Sequence, residues 1–249
     1  MWAHCFCSTY ARPELVQGAL ALFQAQTYPK KYLTILDDSG CLVSERQHNY
    51  MVVSIPERFP SLASKFRYLY SLAAPGDKDA IFIWDDDDLY HPLYIEWHME
   101  VLRRFPVSKP ALVYVFNHLK PDDFLVYRTE NWFYPSLAFR VYCLEEVTWR
   151  EHEPFDLNFI RDLREYFTFG DPVKDGIFPF VYCIGPWSRM SVFRNRYKEK
   201  AYQQYGKEIF SRLEDTAPRR LVPELDAFRK EVLQRFEGRV LCRLRLRNS

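Results

Sequence analysis

The 249-residue chain predicts an α/β fold built on a mostly parallel central sheet. Three observations carry that expectation. Short apolar runs ended by turn residues alternate with helical patterns four times before residue 117. The connections are long enough for crossover helices rather than hairpins. Two acidic clusters, Asp37-Asp38 and Asp85 to Asp88, fall directly behind two of the apolar runs. Open α/β sheets bind their ligands at that edge.

The first run, His4 to Thr9, reads as a strand that opens into Tyr10-Ala11-Arg12-Pro13. Cys5 and Cys7 lie two apart on it, so both point to one face as core filler. Pro13 suits a first helical position, and Leu15, Ala19, Leu22, Phe23 and Gln26 follow on one stripe. Tyr32 to Leu36 is the second strand, delivering Asp37-Asp38-Ser39-Gly40, and Tyr50 to Ile55 is the third. Ser61 to Ala74 reads as a helix, Ala80 to Trp84 as a buried strand, Pro92 to Phe105 as a helix and Ala111 to Phe116 as a strand. Beyond these, Val126 to Arg128, Phe139 to Cys143 and Ile177 to Ile184 read as strands, and Phe155 to Phe167 as a helix. Arg194 to Leu213 and Pro223 to Phe236 read as two further helices. A domain over 1–191 with a helical extension over 192–249 is the expected division.

The tetrad Asp85-Asp86-Asp87-Asp88 concentrates four like charges behind the apolar run ending at Trp84. Such a group repels itself and calls for a cation, and a hard divalent ion suits carboxylate oxygens. The plainer alternative is an acidic helix N-terminus leading into Pro92. Six cysteines without Cys-x-x-Cys spacing, and six histidines without ligand spacing, argue against a zinc site or a disulfide framework. No basic segment followed by an apolar stretch opens the chain, and no apolar run reaches the ~20 residues that span a bilayer. A cytoplasmic protein is expected. The net charge of +1 hides an asymmetry, because residues 189–249 carry 16 Lys and Arg against 8 Asp and Glu. Arg243, Arg245 and Arg247 alternate with apolar residues at the end. The basic tail suits a polyanion such as duplex DNA, or is a set of solvated faces.

Taken together, Ser8-Thr9-Tyr10-Ala11-Arg12-Pro13-Glu14-Leu15, Phe23-Gln24-Ala25-Gln26-Thr27-Tyr28-Pro29, Leu36-Asp37-Asp38-Ser39-Gly40 and Ile83 to Pro92 resemble the opening of family 2 glycosyltransferases of GT-A fold. The resemblance covers roughly residues 3 to 116. It implies a GT-A-type three-layer sandwich and transfer of a sugar from a nucleotide diphosphate sugar, a UDP-sugar favoured, with Mn²⁺ or Mg²⁺ as cofactor. It implies that Ser8, Thr9, Tyr10 and Arg12 border the nucleotide and that Asp38 accepts a hydrogen bond from the base. Lys65 or Arg67 would approach the diphosphate. Asp85 and Asp86 would stand at the donor, and Asp85 and Asp87 would hold the metal. Asp156, or failing it Glu153, would be the general base of an inverting transfer; a helix N-cap is the competing role for Asp156. Many relatives place a His late in the domain as a further ligand, whereas Tyr182 to Ser191 contains none. Acceptors across the family include glycans, lipids, proteins and, in bacteriophage enzymes, hydroxymethylated bases of DNA, which the small size and basic tail would suit. Nucleotidyl transfer fits less well, because Ser8 to Leu15 lacks glycine for a phosphate loop. A degenerate nucleotide-sugar-binding module is the non-catalytic alternative.

Overall fold

A computed structural model describes residues 1–117, 124–130, 132–151, 154–174 and 179–184. The basic extension over 192–249 lies outside the described residues, as does Glu153.

Strands β1 (Ala3–Thr9), β2 (Lys31–Asp37), β4 (Tyr50–Ser54) and β5 (Ala80–Ile83) form a parallel core in the order β5-β1-β2-β4. The sheet has eight strands and is less parallel at its flanks. β3 (Glu45–Arg46) runs antiparallel to β4, and β10 (Ala138–Arg140) runs antiparallel to both β5 and β7 (Val107–Ser108). β11 (Phe169–Gly170) closes that edge. A second, four-stranded sheet pairs β6 (Leu89–Tyr90), β12 (Phe180–Ile184), β8 (Leu112–Asn117) and β9 (Phe124–Arg128) in that order.

Three layers follow from strand alternation. Cys5, Cys7, Ile35 and Phe82 face α1 (Pro13–Gln24) and α3 (Tyr94–Val101), in a core with Val16, Phe23, Tyr94 and Ile95. Phe6, Leu36, Ile81 and Ile83 point the other way, toward α2 (Leu62–Ala73) and α4 (Phe155–Tyr166), among Phe66, Phe155, Phe159 and Leu163. Both faces of the central strands are therefore buried, and this explains their near-continuous apolar sequence. Cys5 and Cys7 share one face as expected.

Two expected elements change. The strand over 139–143 stops at Arg140, and Val141–Glu146 turns into a 3-10 helix whose first N–H bonds to Asp79 O at 3.1 Å. The helix expected from Pro92 to Phe105 is shorter, because His91 O first accepts the Tyr94 N–H in a turn. Helix α2 begins where Ser61 caps it. The Ser61 hydroxyl accepts from Ser64 N–H at 3.0 Å, and the Ser64 hydroxyl accepts in return from Ser61 N–H at 3.1 Å. Ser61→Ala should cost about 1 kcal/mol of stability, measurable as a shifted urea midpoint with unchanged m value. No described helix is long and apolar enough to cross a membrane.

Candidate active site

The β1–β2 register pairs Thr9 with Asp37, and the β1–β5 register pairs Phe6 with Ile83. The turns after β1, β2 and β5 therefore emerge at one edge of the parallel core. The first turn ties the other two together. Ala11 N–H donates to Asp37 Oδ1 at 3.4 Å, and the Thr9 hydroxyl donates to Asp86 Oδ2 at 2.5 Å. Arg12 reaches Asp86 at 2.8 Å and Asp87 at 3.1 Å. The two acidic clusters share a rim, as strand order alone suggested.

Within the first cluster the two carboxylates differ. Asp37 is a turn organiser, accepting from the Ser39 hydroxyl at 2.5 Å, the Ser54 hydroxyl at 2.7 Å and the Cys41 and Leu42 N–H groups. Burial works against its charge, but these hydrogen bonds prevail and hold its carboxyl below the ordinary value. Gly40 completes the turn at φ +73°, where a Cβ would stand 2.8 Å from that of Pro56. Asp38 is buried at the rim, where Lys65 Nζ donates to Oδ1 at 2.6 Å and Phe59 N–H to Oδ2 at 3.1 Å. Of the two cations expected near the diphosphate, Lys65 is at this rim, paired with Asp38. Arg67 is instead engaged by Glu151 at 3.1 Å and lies over the Trp149 ring at 5.0 Å. Tyr10 carries Arg58 over its ring at 4.3 Å, so Arg58 joins the turn after β1; nothing in its sequence context marked it.

The tetrad divides. Asp86 turns toward Arg12 and Thr9, while oxygens of Asp85, Asp87 and Asp88 lie within 4.8 Å of one another. The loop holding them is anchored at both ends. The Tyr90 hydroxyl accepts the Asp85 N–H at 2.7 Å, and its ring stacks on Trp84 at 3.7 Å between centroids. Cys183 N–H, from the second sheet, donates to Asp88 Oδ1 at 2.8 Å. Asp88 is 2% exposed, and its Oδ2 is buried without a hydrogen-bond partner.

Electrostatics match that geometry. Burial, then Asp87 and Asp86, raise the Asp85 carboxyl well above its ordinary value; burial, then Asp87 and Asp85, do the same to Asp88. Asp86 is pushed up to about 6 by burial, against the pull of Arg12. Three crowded carboxylates with an orphaned buried oxygen fit a hard divalent cation, which would supply the missing charge and ligation. The motif offered Asp85 and Asp87 as a pair, and both lie in this cluster; it did not single out Asp88, whose position depends on a bond from a strand 95 residues away.

The opposite wall comes from α4 and the 132–136 segment. Helix α4 starts at Phe155 with no side-chain cap, so Asp156 lies inside the first turn. The competing role for Asp156, as the cap, is not what the chain adopts. Asp156 adds weakly to the field at Asp85, Tyr134 and Tyr182, so its charge is felt on the tetrad's side of the sheet. The aromatic run Asn131-Trp132-Phe133-Tyr134 reads in sequence as a candidate pocket lining. Tyr134 is buried in the core with Phe155 and Phe159, and nothing in sequence marked Tyr182, because aromatic residues are as common in cores as in clefts. Ser8 lies on β1 opposite Leu36.

Sheet order and rim are those of a mixed α/β fold with a large central sheet whose acidic turns gather at one edge. No protein-family model matches the chain, and no curated protein matches it either. Solved structures do. TarS 1-349 of S. aureus is 12% identical over 74% of this chain with a TM-score of 0.54, and its complex with UDP-GlcNAc gives 0.56 at 12% identity over 74%. The mannosyltransferase PcManGT of Pyrobaculum calidifontis, in complex with GDP-Man and Mn²⁺, is 15% identical over 95% of this chain and 73% of its own, with a TM-score of 0.53. The chain spans about 60% of the length of the TarS 1-349 structures. At such identities the likeness is one of fold.

Proposed function

We propose that this chain is a metal-dependent glycosyltransferase that moves a sugar from a nucleotide diphosphate sugar to an acceptor hydroxyl with inversion. The observation that carries the reading is the cluster of Asp85, Asp87 and Asp88 oxygens within 4.8 Å of one another, on a shared rim with Asp38. Asp38 is the base-end acceptor. Uracil and guanine each carry a ring N–H that a carboxylate can accept, whereas adenine carries none. Two fold neighbours are complexes with UDP-GlcNAc and with GDP-Man and Mn²⁺, which agrees with that chemistry; a UDP-sugar is favoured. Ser8, Thr9 and Tyr10 border the nucleoside, and Lys65 stands nearest the diphosphate.

Asp85, Asp87 and Asp88 would hold Mn²⁺ or Mg²⁺, and the ion, when bound, neutralises charge on the departing diphosphate. Asp156 takes the proton of the acceptor hydroxyl as its oxygen bonds to the anomeric carbon. The bond from that carbon to the diphosphate breaks, and its electron pair leaves with the nucleoside diphosphate. Arg12 keeps Asp86 turned aside, so that three carboxylates rather than four crowd the cation.

Binding to the native state should raise the melting temperature with occupancy, by about 2.7 kcal/mol of stability at a hundredfold excess over Kd. UDP or GDP with Mn²⁺ is expected to stabilise the protein strongly and ADP with Mn²⁺ weakly. Equal response to all three nucleotides, or none, removes the reading. The duplex DNA acceptor expected from the basic tail involves residues outside those described.

A further inference from the structure

Trp132 is a large apolar side chain with 46% of its surface open. Its backbone is held there against local preference. Glu130 and Phe133, on either side, adopt φ values of +28° and +59°, left-handed conformations that side-chain-bearing residues rarely take. The surrounding chain enforces them. Arg164 Nη2 and Nε donate to Glu130 O at 3.0 and 3.3 Å, and Thr129 N–H donates to Ala111 O at 2.9 Å. The Ser136 hydroxyl donates to Phe133 O at 2.7 Å and accepts from the buried Lys109 amine at 3.0 Å. Phe133 packs edge-on against Tyr182 at 5.2 Å, and Tyr134 against Phe155 and Phe159 at 6.0 and 5.6 Å. The residues following Trp132 thus pack on Tyr182 and α4, where Tyr182 and Tyr134 feel the charge of the tetrad and Asp156, while the indole of the same segment is open to solvent. Other exposed aromatic side chains lie elsewhere; Trp2, for example, precedes β1 at the opposite edge of the sheet.

We propose that Trp132 is a stacking platform for a neutral saccharide acceptor, resting on the glycosyltransferase reading above. A pyranose presents one face of polarised C–H groups, which suits the flat, electron-rich face of an indole. Charge selects this occupant over nucleic acid. The nearby carboxylates Asp85, Asp87 and Asp156 repel a polyanion. Arg12 is engaged with Asp86 and Asp87, Lys65 with Asp38, Arg58 over the Tyr10 ring, and Arg164 with Glu130 O and over the Phe169 ring. A polyanion needs several available cations for affinity, whereas a neutral sugar needs none.

The test uses the full chain with Mg²⁺ and UDP or GDP, and reads saturation-transfer NMR and dialysis with chitotriose, cellotriose, maltotriose and mannotriose as probes. A short DNA duplex serves as the charged comparison. Wild type is expected to hold at least one trisaccharide; Trp132→Ala should weaken it about tenfold, and Trp132→Phe should restore part of the loss. Equal trisaccharide binding in wild type and Trp132→Ala overturns the proposal. So does a wild-type protein that is stabilised by nucleotide yet retains no trisaccharide, or only the duplex. Trisaccharide binding that depends on Trp132 without any nucleotide response keeps the platform and overturns the transferase reading, so the two failures separate.

Discussion

Asp87→Asn is expected to lower release of nucleoside diphosphate from the nucleotide sugar by about a thousandfold, equivalent to roughly 4 kcal/mol of transition-state stabilisation. The substitution removes one charge from the three-oxygen cluster while keeping the side chain's shape. Its cost to the fold should be small, because the ion pair it loses, with Arg12 at 3.1 Å, is partly exposed. Such pairs contribute about 0–1 kcal/mol. Asp86→Asn makes the informative contrast. Asp86 is buried between Arg12 and the Thr9 hydroxyl, turned from the cluster, so its loss should disturb stability and the rim more than the chemistry. Turnover with Mn²⁺ that survives in Asp87→Asn, or falls further in Asp86→Asn, would show that the tetrad is divided differently. Asp156→Asn should abolish transfer to an acceptor yet leave the nucleotide-induced rise in melting temperature intact, because a base acts on the acceptor and not on donor binding.

The parallel core was legible because its physics is local. Runs buried on both faces read as continuous apolar sequence, and the alternation of Cys5, Phe6 and Cys7 between two cores needs only the strand period. The shared rim followed from strand direction. The short strands β3, β6, β7 and β11, two residues each, left no sequence trace because their pairing is set by partners elsewhere in the chain. The strand expected over 139–143 had suitable residues, but pairing with β5 ends at Arg140. At the site, residue type announced the carboxylates and only tertiary contacts sorted them. Arg12 reaches a residue 75 positions further along the chain to claim Asp87, and Cys183 fixes Asp88 from 95 residues away. Periodicity cannot register such bonds.

Asp88→Asn is expected to stabilise the metal-free protein at pH 7.5 by roughly 0.5–2 kcal/mol, the usual scale of a single stabilising substitution. The asparagine oxygen can still accept the Cys183 N–H that Asp88 Oδ1 now accepts at 2.8 Å, while the repulsion disappears. The sign follows from the raised carboxyls. A group whose folded pKa lies above its unfolded value holds its proton longer in the native state, so stability falls as pH rises between the two. For Asp86, at about 6 against 3.8, that window is roughly pH 4 to 6; Asp85 and Asp88 shift in the same direction. Asp37 runs the opposite way, its stabilisation lost only as pH falls below the ordinary carboxylate value. His98, pushed down to about 3 by burial, also opposes the trend, contributing stability that is lost as pH falls below 6.5. Total slopes therefore mix several groups, and the difference between wild type and Asp88→Asn isolates the cluster. That difference should shrink toward pH 4, where the carboxyls are protonated, and reverse at pH 7.5 when Mn²⁺ or Mg²⁺ is added, because the cation requires the charges that the proton removes. Urea titrations of both proteins at pH 4.5 and 7.5, with and without metal, read all of this directly. An Asp88→Asn protein less stable than wild type without metal at pH 7.5, or gaining as much from metal, would mean that Asp88 serves the loop's architecture and leaves the cation to Asp85 and Asp87.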